Sequence, residues 1–119
     1  MQNRRKINRR YLLYFVRVYD AVTRQQIGNL VDITPQGAMI VGPEPISEDQ
    51  AIRLRLELTS DITDKPFLEF PTRSKWCHPD LEPSLYNTGF EILELSPEDS
   101  EIIRKIVETF GFRDNEPSR

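Results

Sequence analysis

The chain has 119 residues but only one cysteine and one histidine, and each scarcity removes a class of function. A lone thiol, Cys77, rules out an intrachain disulfide framework, and His78 as the sole imidazole rules out metal centres built from several Cys and His ligands. A reducing cytoplasm is the expected compartment. Long hydrophobic runs are also missing. The longest apolar stretch lies near Tyr11–Val16 and soon meets Arg17 and Asp20, so neither a membrane span of roughly 20 residues nor a signal peptide with a small-residue cleavage site is expected. With five glycines there is no Rossmann or Walker phosphate cradle. His78 precedes Pro79 in a turn-like segment with no Ser or Cys motif beside it. It reads as a solvated loop histidine, and no enzymatic activity is expected. Cys77 reads as a half-buried strand-end residue. Asp61 and Asp64 lack the alternating acids of a calcium loop and read as a solvated turn.

What is present is uneven. Sixteen cations against nineteen acids give a net charge of -3, but residues 1–10 hold five cations (Arg4, Arg5, Lys6, Arg9, Arg10) and no acid, leaving -8 on residues 11–119. A basic arm precedes an acidic body. That body disfavours RNA or DNA as partner, because long polyanions are met by broad basic surfaces. An apolar content of 38% suffices for one core. The expected organisation is an arm over residues 1–10, one folded unit over 11–112 and a polar, disordered tail over 113–119.

Within that unit the pattern is mainly β. Tyr11–Tyr19 is dense in aromatic and β-branched residues and predicts a first strand; Gln26–Ile33 and Ala38–Val41 predict the second and third. Between the latter two stands Thr34-Pro35-Gln36-Gly37, where Pro fixes one backbone angle and Gly is expected to supply a positive φ. In Ala51–Thr59, Ile52, Leu54, Leu56 and Leu58 alternate with Arg53, Arg55, Glu57 and Thr59, so one face is core and the other wet. Arg53 and Arg55 are expected to pair with Glu57 or neighbouring acids. Phe67–Trp76, with Pro71 marking an edge or bulge, and Leu85–Leu95 complete six strands, at a spacing that suggests a barrel or sandwich. Ser96 as N-cap, Pro97 at the first helical position and Asp99 three residues after the cap predict a helix. Its stripe of Ile102, Ile103, Ile106, Val107 and Phe110 must bury on the sheet, and Gly111 stops it.

Two short motifs stand out. Arg5-Lys6-Ile7-Asn8-Arg9 is an R-x-x-x-R preceded by Arg4, and Asp32-Ile33-Thr34-Pro35-Gln36-Gly37 is a D-x-T-x-x-G. Together and in this order they resemble the signature of the PilZ domain, the bacterial receptor module for cyclic di-GMP. That family carries R-x-x-x-R and then [D/N]-x-S-x-x-G. Gly89-Phe90-Glu91-Ile92 resembles its late strand, and the likeness extends over residues 4–112. One departure is Thr34 where Ser is usual. Lys6 and Arg10 share the arginine spacing, but Arg5 and Arg9 are preferred because both are arginine and Arg4 precedes them.

The resemblance implies a six-stranded antiparallel PilZ-like β-barrel with a C-terminal helix and a flexible basic N-terminal arm. It implies no cofactor. Cyclic di-GMP is the implied ligand, held by Arg4, Arg5, Arg9, Asp32, Thr34 and Gly37, with Trp76 as a lining residue whose strand can lie beside the site. A downstream protein partner is implied as the reader of an ordered arm; the alternative is a PilZ-like adaptor that has lost or weakened nucleotide binding. The chemistry suits the residues. Guanidinium groups bond phosphate oxygens in pairs, address the guanine O6/N7 edge and stack on purines. A carboxylate at Asp32 accepts guanine N–H donors, the Thr34 hydroxyl donates or accepts, and Gly37 lets backbone approach closely.

Overall fold

The computed structural model describes residues 16–58, 60 and 63–110. Arg4, Arg5 and Arg9 of the arm, the start of the expected first strand, Gly111 and the tail lie outside the described residues. Six strands are formed: β1 (Arg17–Asp20), β2 (Gln26–Thr34), β3 (Gly37–Gly42), β4 (Ala51–Glu57), β5 (Phe67–Pro79) and β6 (Tyr86–Ile92). Helix α1 (Pro97–Phe110) follows. The strands close into an antiparallel barrel in the order β1-β2-β3-β6-β5-β4, with β4 returning to β1. The expected mainly β architecture is what the chain forms.

Alternation fills the barrel. Leu54 and Leu56 of β4 point inward and are fully buried beside Val18, Leu30, Ile40 and Leu68. On the outside, Arg53 Nε and Arg55 Nη1 both reach Glu69 of β5, at 3.3 and 3.2 Å, so the acid that pairs them lies across the ladder. Glu57 faces Arg17 instead. Helix α1 begins as its sequence dictates, with the Asp99 backbone N–H donating to Ser96 Oγ at 3.1 Å. A 14-residue helix is marginal alone. Burial of Ile103 and Ile106, roughly 1.5–3 kcal/mol each, holds it on the barrel, where it packs against β2.

Three local features differ from the sequence reading. Pro71 marks neither an edge nor a bulge, since it pairs in register with Arg53 inside β5. Its carbonyl accepts from the Leu93 N–H just past the end of β6, and its missing N–H falls on that same side, where no ladder partner is needed. The fifth strand also runs on through Cys77, His78 and Pro79, paired to Thr88, Asn87 and Tyr86, so the expected turn at His78 is strand. Pro79 is tolerated because it is the last residue of the ladder. Finally, the irregularities lie elsewhere. The β1–β2 pairing skips Ile27, and pairing also shifts between Leu30 and Asp32 in β2 and between Ser74 and Trp76 in β5, leaving Val31 and Lys75 as the extra residues of two further bulges.

The second bulge is anchored from inside. Ser74 is buried, and its hydroxyl donates to the Ser47 carbonyl at 2.6 Å and accepts the Gln50 N–H at 2.8 Å. Its backbone exchanges bonds with the same connection, Ser74 N–H to Gln50 O and Asp49 N–H to Ser74 O. These bonds tie the β3–β4 crossover to β5 immediately before the strand changes face.

Candidate functional site

A bulge inverts the side-chain parity of a strand, and here two inversions meet on one surface. Leu30 is inward, so regular alternation would send Asp32 inward too; the extra Val31 turns it outward to face Met39 of β3. Ser74 is inward, and Lys75 turns Trp76 outward to face Gly89 of β6. Because Met39 pairs with Gly89, the four residues Asp32, Met39, Gly89 and Trp76 form a continuous row across β2, β3, β6 and β5. Asp32 is half-buried, with its Oδ1 shielded from solvent.

Gly89 gives the row its shape. A Cβ there would lie 2.3–2.6 Å from Cε2, Nε1 and Cζ2 of Trp76, so the indole rests on the β6 backbone. His78 lies next to it on β5, its imidazole stacked on the indole at 5.1 Å between centroids and 20° between planes. Opposite His78, the Asn87 side-chain amide donates to Asp80 Oδ1 at 2.8 Å. That bond, with the Glu82 and Leu81 backbone N–H groups, holds the Asp80 carboxyl below its ordinary value. Cys77, between the two rings in sequence, turns the other way, and its sulfur receives the Thr88 hydroxyl at 3.4 Å.

The neighbouring turn carries the other motif residues. Thr34 is exposed, and its Oγ1 accepts the Gln36 and Gly37 N–H groups at 3.2 and 3.3 Å. Both lone pairs are thereby used, which leaves the hydroxyl a donor toward solvent. Gly37 corrects the sequence reading: no described glycine has a positive φ. Its role is spatial, since a Cβ would stand 2.8 Å from the Phe90 carbonyl oxygen of β6. The Gln36 carbonyl accepts from Ile92 N–H, so the turn is fastened to the end of β6.

Of the sequence candidates, Asp32, Thr34, Gly37 and Trp76 share this face, while Arg4, Arg5 and Arg9 lie outside the described residues. The sequence reading missed His78 and the seat at Gly89. Trp76 and His78 stand two apart, the spacing of one strand face, and Pro79 concealed that signal by suggesting a turn. On the β1–β4–β5 side a separate open cleft of about 330 Å³ is lined by Tyr19, Ala21, Arg24, Arg55, Glu57 and Glu69. Among the described residues no cluster of His, Cys, Asp and Glu could hold a metal ion, and no helix is long and apolar enough to cross a membrane.

The family profile described as PilZ domain matches residues 3–109. The chain belongs to the PilZ domain family. Its fold is shared by two solved structures. One is the inhibitor of motility MotI/DgrA of Bacillus subtilis, at 15% identity and TM-score 0.61 over 87% of this chain. The other is the PilZ domain of YcgR from Escherichia coli, determined with c-di-GMP, at 10% identity and TM-score 0.58, covering 80% of this chain and 81% of that one. This PilZ domain spans only 48% of the MotI chain. A comparison with curated protein sequences finds no match.

Proposed function

We propose that this PilZ domain is a non-enzymatic receptor for cyclic di-GMP that works in the bacterial cytoplasm. The observation that carries the reading is the row Asp32–Met39–Gly89–Trp76, which brings a carboxylate and an indole to one outer face beside the Thr34–Gly37 turn. The YcgR domain of like fold, determined with c-di-GMP, supports it. In this reading Asp32 accepts guanine N–H donors and the Thr34 hydroxyl donates to a ligand oxygen or nitrogen. Trp76 offers a base its ring, and Gly37 keeps the turn against β6. Arg4, Arg5 and Arg9 close over the dinucleotide and neutralise its two phosphates. Closure of the arm changes the surface that a downstream protein reads.

A second reading, a PilZ adaptor acting through a protein partner without nucleotide, draws on Thr34 standing where the family has Ser. Calorimetric titration of cyclic di-GMP into wild type, Arg5→Ala, Arg9→Ala and Asp32→Ala, with GTP and single-stranded RNA as controls, separates the two. Wild type binds cyclic di-GMP selectively, and each arginine removal weakens binding by about 1–3 kcal/mol, with affinity falling as salt rises. Absence of heat from wild type at tens of micromolar overturns the receptor reading in favour of the adaptor.

A further inference from the structure

We infer that His78 and Gly89 are positioning residues that hold Trp76, the ring offered to a base in the reading above, in one orientation before any ligand arrives. The part concerning the base rests on the receptor reading above; the part concerning the indole does not. Three independent observations converge on it. The Lys75 bulge turns Trp76 outward at the point where its ladder partner is a glycine. At Gly89 a Cβ would strike the junction of the indole's two rings, so the side chain folds across β6 toward β3 and has backbone beneath it. His78, on the same face of β5, stacks against the indole.

An aromatic side chain on an open strand face samples several rotamers, and binding must then select one. Here the ring is confined before any ligand arrives, on one side by a neighbour that has no side chain and along β5 by a second ring. Pre-organisation of this kind removes an ordering cost from binding. His78 is itself exposed, and across the ladder it faces Asn87, whose amide is engaged by Asp80. The imidazole thus lies stacked against the indole, and the indole continues the row that begins at Asp32. With strands about 4.8 Å apart, two spacings separate Gly89 from Asp32, so the carboxylate and the indole stand roughly 10 Å apart, within the compass of a purine nucleotide. An indole held in one place with a carboxylate at that reach suits a nucleobase that carries N–H donors on its edge.

Trp76 is the only tryptophan, so fluorescence of the full chain reports on this ring alone. Anisotropy decay and emission are recorded for wild type, His78→Ala, His78→Phe and Gly89→Ala, with and without cyclic di-GMP, and affinities are taken from the same titrations. His78→Ala adds a fast depolarising component to the unliganded protein and weakens binding roughly two- to tenfold. His78→Phe restores both, because it keeps a planar ring, and Gly89→Ala shifts the emission by lifting the indole from β6. Unchanged anisotropy decay in His78→Ala overturns the positioning role. A loosened indole with unchanged affinity overturns the stacking role. A loosened indole in a chain that binds no cyclic di-GMP in any variant supports the positioning role and overturns the receptor reading, so the two failures are distinguishable.

Discussion

Asp32 and Trp76 share one row of the barrel wall because each follows a bulge in its own strand, at Val31 in β2 and at Lys75 in β5. Were Val31 and Lys75 paired as regular ladder residues, both side chains would point to Leu30's and Ser74's side of the sheet, into a core already filled by Phe70, Phe90 and Ile40. The two inversions therefore serve the outer surface, and they do so at positions 44 apart in sequence.

Lys75 separates the bulge from the side chain that makes it. Its ion pair with Glu91, 3.6 Å and half exposed on both sides, contributes little. Lys75→Ala is expected to stay within about 0.5 kcal/mol of wild type in urea denaturation. Deleting Lys75 removes the bulge but leaves Trp76 directly after the inward Ser74, so the indole still faces outward over Gly89, the fold is kept, and Trp76 emission stays that of wild type. A Trp76 emission shifted to that of a core indole in the deletion variant would show that β5 changes its register on β6 instead of losing the bulge.

Ser74 tests what holds that bulge. Ser74→Ala leaves the Ser47 carbonyl and the Gln50 N–H without their buried hydroxyl partner. The expected loss is about 1–3 kcal/mol, accompanied by faster hydrogen exchange at Gln50. Exchange at Gln50 that matches wild type rules out this anchoring.

Gly37 is a packing requirement, so the cost of a side chain there is steric. Gly37→Ala puts a methyl 2.8 Å from the Phe90 carbonyl oxygen, and neither backbone can yield without breaking the β3–β6 ladder. A loss of about 1–3 kcal/mol is expected, read as a lower urea midpoint at unchanged slope. A stabilised variant would mean that chain entropy outweighs the contact at this site.

The fold was largely legible because its determinants are local: alternation in Ile52–Leu58, the Ser96–Pro97–Asp99 helix start, and turn chemistry at Thr34–Gly37 all appear in short windows. The site was legible only where it coincides with a motif. Nothing local distinguishes Val31 or Lys75 as an extra residue, because a bulge is defined by the opposing strand. The contact between Trp76 and Gly89 likewise depends on the register of β5 on β6. Pro71 and Pro79 misled in the same way. What decides whether a proline fits a strand is the side its missing N–H faces, and that is fixed by pairing.

Thr34 is the departure from the family pattern on which the proposed nucleotide binding turns. Its hydroxyl already accepts two backbone N–H groups, and its exposure leaves the methyl uncrowded by the protein. Thr34→Ser is therefore expected to bind cyclic di-GMP within about threefold of wild type, through a gain in χ1 freedom alone. Thr34→Val, which loses the donor and both turn bonds, weakens binding by about 1–2 kcal/mol and loosens the Gly37 amide in hydrogen exchange. A Thr34→Ser gain far above tenfold would place the methyl against the ligand.

The last prediction concerns the joint between barrel and helix. Lys65 Nζ donates to Asp99 Oδ1 at 2.7 Å, between the segment leading into β5 and the first turn of α1. That hydrogen bond, with the charges of Asp99 and Glu98, outweighs desolvation and raises the Lys65 ammonium above its ordinary 10.5. A value raised in the folded state means that the folded protein keeps the proton more firmly than the unfolded chain. The contribution is thus fully present below the unfolded value and disappears as pH rises through the folded one. Asp99 is mostly buried while Lys65 is partly exposed, so removing the ammonium with Lys65→Met should cost about 1 kcal/mol. The difference in urea midpoint between wild type and Lys65→Met is expected to be constant from about pH 7 to pH 9 and to close above roughly pH 10.5. A difference that persists unchanged beyond that point would assign the stabilisation to packing of the lysine stem on the helix and not to its charge.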